Sequence, residues 1–249
     1  MNVATFTADV PRATICLSAS GLTANALYDV LGSISGGVPV LSWSAAYAND
    51  TTPPARAWQD GAEVLASDHT KLIIGTVKVN AIGTLSDSHS CRCLSNYYKP
   101  EPREMWAQDP ATTWNNCTTT QYCNGTAYQQ AHGNAANQLE YVVVVPRLIA
   151  ATVQAAMIAG SSAGGGYFVG IGLDGNSLGD VSNCGKQQAS IPSALSTVSY
   201  QTSACYLGTP GQGRHTALQL ERIYSGVAPT WMGSVPPSQI SGIYGVVMN

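Results

Sequence analysis

Charge is scarce in this sequence: only 10% of its 249 residues are Asp, Glu, Lys or Arg, against about a quarter in an ordinary globular protein. The formal net charge is −3 and the isoelectric point is near 5.7. Without a basic field to hold a phosphate backbone, nucleic acid is excluded as a natural partner. Long apolar runs are missing too. The most apolar stretch, "YVVVVPRLIAATVQAAMIAG", is interrupted by Pro146, Arg147 and Gln154, well short of the roughly 20 uninterrupted residues of a membrane-spanning helix, so no membrane partner is expected. The start, "MNVATFTADVPRAT", shows neither a basic n-region nor an apolar h-region, so a Sec signal is not expected. Phenylalanine is nearly absent, 2 residues against 12 tyrosines, while glycine reaches 25. That balance suits short strands joined by many turns.

Catalytic and cofactor signatures are also wanting. "GSSAG" (Gly160 to Gly164) spells a nucleophile elbow with Ser162 in the active slot, but the pattern works only between a strand and a helix. Here Val153, Ala155 and Met157 alternate upstream, Tyr167, Val169, Ile171 and Leu173 alternate downstream, and Gly164, Gly165 and Gly166 make a poor helix start. The five residues read as a β-hairpin turn. "GIGLDGNSLGD", with Asp174 and Asp180, lacks the alternating acids and closing Glu of a calcium loop. His215, beside Arg214 and six positions before Glu221, reads as a strand start. No catalytic residue, cofactor site or metal site is assigned, and no enzymatic activity is expected. Trp106, Trp114 and Trp231 are read first as core or interface residues, with stacking on sugar rings as the alternative.

What the chain does have is cysteine, seven residues, none in C-x-x-C spacing and with His69, His89, His132 and His215 scattered, which argues for disulfides or buried thiols over zinc. Cys117 and Cys123 flank "TTTQY" at hairpin-closing distance, and Cys184 is placed to reach Cys205 across a loop. Cys91 and Cys93 point to one face of an extended strand, so each is expected to need a separate partner.

Strand signals recur along the whole chain. "LYDVLGSI", "VPVLSWSAAY" and "KLIIGTVKV" alternate or are Val/Ile-rich between turn residues, Asp60-Gly61 among them. A short helix over "LTANALYDVLGS" is the rival reading there. Pro100, Pro102 and Pro110 break the pattern before strands resume with "NQLEYVVVVPRL", "YFVGIGLD" and "TALQLERIYSG". The expected organisation is all-β: a small N-terminal β-sandwich over 1–90, a linker or entry segment over 91–115, and a second β-sandwich over 116–249. The run from Tyr141 through Val143 to Val145 is apolar on both faces, and the carboxyl end "SGIYGVVMN" carries Tyr244. These residues are candidates for an oligomer interface.

The order of "SGLTANALYDV" (Ser20 to Val30), "WQDGAEVLASDHTKLIIGTVKVN" (Trp58 to Asn80), "SDSHSCRCLSNYYKPEPREM" (Ser86 to Met105), "NAANQLEYVVV" (Asn134 to Val144), "VGIGLDGNS" (Val169 to Ser177) and "GRHTALQLERIYSG" (Gly213 to Gly226) resembles a family of structural proteins of tailed bacteriophages. The resemblance covers about 80% of the chain by these motifs, and none of them is catalytic. "SHSCRCLSNYY" departs from the basic stretch usual in the family and brings in Cys91 and Cys93. The resemblance implies a virion-surface protein, made in the host cytoplasm and released by lysis. The opening strands look similar to a fibronectin-type sandwich, and the second half suggests a jelly roll, the form of many trimeric viral knobs. Two roles follow. In the first, a homotrimer decorates or cements the capsid, with the major capsid protein or another virion protein as partner. In the second, it forms the tip of a tail or head fibre that binds a host surface glycan or protein. Release into oxidising medium would let Cys117–Cys123 and Cys184–Cys205 form, and let Cys91 or Cys93 link neighbouring subunits.

Overall fold

The structure, a computed structural model, describes residues 15–81, 83–108, 113–114, 128–131, 137–144, 151–160, 165–175, 186–191, 200–208, 210–226, 230–232 and 241–248. Strands dominate it. Seven belong to one N-terminal sheet: β1 (Leu27–Ser35), β2 (Val38–Trp43), β3 (Arg56–Gln59), β4 (Ala62–Leu65), β5 (Asp68–Ala81), β6 (Thr84–Leu85) and, after β7 (Cys91–Arg92), β8 (Leu94–Asn96). The helix considered over 22–33 is absent, because Tyr28, Leu31 and their neighbours alternate as a pleated strand in antiparallel register with β5. The β1–β2 and β3–β4 hairpin turns use left-handed backbone at Gly36-Gly37 and Asp60-Gly61, the geometry that matches the twist of the flanking strands.

The remaining strands are β9 (Pro102–Gln108), β10 (Thr113–Trp114), β11 (Gln129–Gln130), β12 (Gln138–Val143), β13 (Ala151–Gly160), β14 (Gly165–Leu173), β15 (Lys186–Ile191), β16 (Tyr200–Gly208), β17 (Gly213–Gly226), β18 (Thr230–Met232) and β19 (Gly242–Met248). Their ladders make two sheets. One runs β9-β19-β13-β16, with β18 and β10 extending it beside β13. The other runs β7-β12-β17-β14-β15, with β11 beside β17. In chain order the eight principal strands are β9, β12, β13, β14, β15, β16, β17 and β19. The first, last, third and sixth of these form one sheet, and the second, seventh, fourth and fifth form the other, which is the strand order of a jelly roll with two Greek keys. Between the sheets lies one core, in which Met105, Ala107, Ala204, Tyr206, Trp231, Ile243 and Val247 meet Leu139, Tyr141, Val143, Val169, Ile171 and Ala217.

Four sequence expectations are corrected. The N-terminal strands lie in a single sheet rather than a fibronectin-type pair of sheets. One contribution to its inner face comes from β12: Val142 and Val144 pack with Leu27, Tyr47 and Cys93 in a second cluster. The two-sided apolar strand is therefore satisfied within one chain. Tyr141 and Val143 face the jelly-roll core and Val142 faces the N-terminal sheet, all at most 1% exposed. Tyr141 and Val143 are thus core residues and not surface for an oligomer; Val145 lies outside the described residues, and Tyr244 is exposed. The 91–115 segment is not a free linker, because β7, β8, β9 and β10 fall within it and join all three sheets. Finally, β13 and β14 do not pair with each other; they lie in opposite sheets. "GSSAG" therefore joins one layer of the sandwich to the other rather than closing a hairpin, and Ser162 lies outside the described residues.

Candidate functional site

Where the chain crosses from the jelly roll to the N-terminal sheet, polar residues collect at high density. β7 pairs in parallel with β12, Cys93 ends it, and β8 turns back to pair with β5. Because the extended run breaks at Cys93, the Cα atoms of Cys91 and Cys93 come to 5.4 Å and the two sulfurs form a disulfide. This overturns the expectation that each needed a separate partner, which assumed an unbroken strand; Cys93, fully buried, cannot reach a neighbouring subunit. Cys117, Cys123 and Cys184 lie outside the described residues, and Cys205 stands exposed on β16.

Beside the disulfide, Glu140 of β12 ties three parts of the fold together. Its Oε1 receives Lys78 Nζ of β5 at 2.5 Å and Arg214 Nε of β17 at 2.6 Å. Arg214 Nη1 continues to Asp50 Oδ2 at 3.0 Å, and the Arg214 amide donates to the Asp50 carbonyl at 2.7 Å. Gly213 makes this approach possible: its φ of 127° is left-handed, and a Cβ there would collide with the Asp50 carbonyl and Thr51 Cα. Next to it, His215 Nδ1 lies 2.7 Å from Asp174 Oδ2 and Nε2 lies 2.8 Å from the Gly211 carbonyl. Burial pulls the His215 pKa down, but the hydrogen bonds to Asp174 and Gly211 and the charges of Asp174 and Asp50 outweigh it, so the net shift is upward. Burial likewise raises Asp174, yet the bonds from His215 and the Thr216 amide leave it below its ordinary value.

Sulfur and oxygen atoms of Cys91, Cys93 and Glu140 lie within 4.8 Å of one another. As a metal site this set fits poorly: the sulfurs are bonded to each other, and Glu140 is already held by two cations. A second buried network sits wholly in the N-terminal sheet, where Arg56 bridges Asp29 (2.8 Å) and Glu63 (2.9 Å), and Tyr47 and Thr76 donate to Asp29 Oδ1 at 2.8 and 2.6 Å. Burial and the neighbouring Asp29 charge push the Tyr47 hydroxyl pKa well up, so it stays protonated, donating to Asp29 while accepting from Arg56 Nη2 at 2.7 Å.

A groove of about 500 Å³ opens beside these residues, lined by Ser88, His89, Ser90, Cys91, Trp106, Ala107, Gln108, Gln138 and Glu140. It lies where the edge strand of one sheet, β9, faces β7 and β12 at the edge of the other. The alternation of β9 places Met105 and Ala107 inside and Trp106 outside, 47% exposed. Of the three tryptophans weighed in the sequence, Trp231 is core, Trp106 is surface and the Trp114 side chain lies outside the described set.

No protein-family model matches the chain, and no curated protein matches it in sequence. Among solved structures, the dimeric latent PorU from Porphyromonas gingivalis aligns over 92% of this chain and 20% of that chain, at 10% identity and a TM-score of 0.32. A likeness that low carries no argument about function, and the chain spans about a fifth of that protein's length.

Proposed function

We propose that this chain is a bacteriophage virion-surface protein that decorates the capsid as a homotrimer and has a structural rather than catalytic role. The observation that carries the reading is the jelly-roll strand order in the half of the chain that holds the resembling "NAANQLEYVVV", "VGIGLDGNS" and "GRHTALQLERIYSG" motifs. The Lys78–Glu140 and Arg214–Asp50 ion pairs, which tie the jelly roll to the N-terminal residues, suit a rigid shell component. His215 supports the non-catalytic part, since both ring nitrogens are held by acceptors and neither is poised to take a substrate proton. Leu207, Tyr244 and Val246, exposed on β16 and β19 of one sheet, offer an apolar face for a neighbouring copy or capsid subunit.

Sedimentation of the full chain together with phage heads that lack it tests the reading. Saturable co-sedimentation as a species of three 25.9 kDa copies is the expected result. A chain that remains monomeric and stays in the supernatant would overturn it.

A further inference from the structure

We infer that the groove between β9 and the β7–β12 edge is a binding site for an uncharged pyranose sugar, with Trp106 as its stacking floor. This stands apart from the location on a virion and does not depend on it.

Three features lead to that ligand class. First, Trp106 keeps 47% of its surface in solvent although the strand carrying it is otherwise ordered by a full antiparallel ladder with β19. Its ring is held in place: His89 packs against it with centroids 5.1 Å apart, and the Trp106 amide donates to the His89 carbonyl at 2.9 Å. A rigid indole face in solvent is the kind of surface on which the C–H face of a sugar stacks, because it offers area at little cost in ordering.

Second, the wall supplies planar amides and hydroxyls in the number a ring of hydroxyl groups requires: Gln108 and Gln138, with Ser88 and Ser90. Amides both donate and accept, so each can meet a vicinal pair of hydroxyls. At about 500 Å³ the groove lies within the size of small-molecule sites and suits one or two sugar rings.

Third, the electrostatics favour a neutral ring. Among the described residues the lining contains neither Lys nor Arg to neutralise a carboxylate or phosphate, and its acid, Glu140, has its charge met by Lys78 and Arg214. A phosphorylated or acidic sugar would enter with its charge uncompensated; a neutral one would find Glu140 as a fixed acceptor.

The test uses the purified full chain and saturation-transfer NMR with methyl glycosides of glucose, galactose and mannose and with N-acetylglucosamine, beside N-acetylneuraminic acid as the charged probe. Transfer to at least one neutral sugar is expected. Trp106→Ala should weaken it by about tenfold or more, the loss typical of a central aromatic anchor. Trp106→Phe should retain part of it. Gln108→Ala, an exposed position that leaves the core untouched, serves as the second variant and should also weaken binding. Trp58→Ala, 68% exposed on β3 and remote from the groove, should change nothing. Transfer to none of the neutral sugars, transfer only to the acidic one, or binding that survives both Trp106→Ala and Gln108→Ala would overturn the assignment.

Discussion

His215 offers each ring nitrogen to an acceptor, the Asp174 carboxylate and the Gly211 carbonyl, and only the doubly protonated imidazolium can donate to both. The groups that face it are Asp174, Asp50 and the Tyr141 ring, 5.9 Å away. Because its pKa is raised on folding, the stabilisation it brings is complete below its ordinary value of about 6.5 and is lost as pH climbs through the raised one. Asp174 works from the other side: its lowered pKa gives a contribution present above its ordinary value and lost as pH falls. The urea midpoint should therefore fall as pH is raised beyond neutrality, and Asp174→Asn should flatten that slope; an unchanged slope would contradict the pairing. Glu140→Gln should cost more, about 3–5 kcal/mol by urea unfolding, because it leaves buried Lys78 without its counter-charge and Arg214 with Asp50 alone. In the sequence Asp174 and His215 stand 41 positions apart, and Lys78, Glu140 and Arg214 are farther still, so each looked like an ordinary loop or strand residue. Only the ladders of β5, β12, β14 and β17 bring them together. Asp29 was equally hidden, one acid in an alternating strand whose burial depends on Arg56 arriving from β3.

Among the elements, β12 decides the architecture. The run that begins at Tyr141 announced itself as apolar on both faces, and for Tyr141, Val142 and Val143 the inference that both faces are covered holds. The reading of an oligomer interface fails because the second cover comes from Leu27 and Tyr47 of the same chain, residues 95 or more positions upstream that pattern alone does not connect to it. Val142→Ala, which empties space between the N-terminal sheet and the jelly roll, should destabilise the whole chain in one transition by about 1–3 kcal/mol. A separate early transition for the N-terminal residues would show that the two parts melt independently. The break at Cys93 has its own consequence: in protein purified without reductant, the peptide holding Cys91 and Cys93 should weigh two hydrogens less than its reduced form. A Cys91 or Cys93 link to another chain, seen by mass spectrometry, would contradict the local pairing. Strand existence was legible because alternation and turn residues are local properties, as at Asp60-Gly61. Pairing across "GSSAG" was not, because a short Gly-rich connection serves a hairpin or a crossing between layers equally well.

For the whole molecule, low charge and turn-rich composition were enough to place the fold class, and the jelly roll suggested by resemblance has its full strand order in the structure. The groove at Trp106 was only half visible: the sequence raised sugar stacking for its tryptophans but could not separate the buried Trp231 from the exposed Trp106. That distinction depends on which side of β9 and β18 faces the core. The proposed role on a capsid makes a demand on copy number and place that no property of the isolated chain can meet by accident. Immunogold labelling of the protein in intact virions measures both. Many copies distributed over the head are expected; label confined to the tail end, or no label on the particle, would contradict capsid decoration.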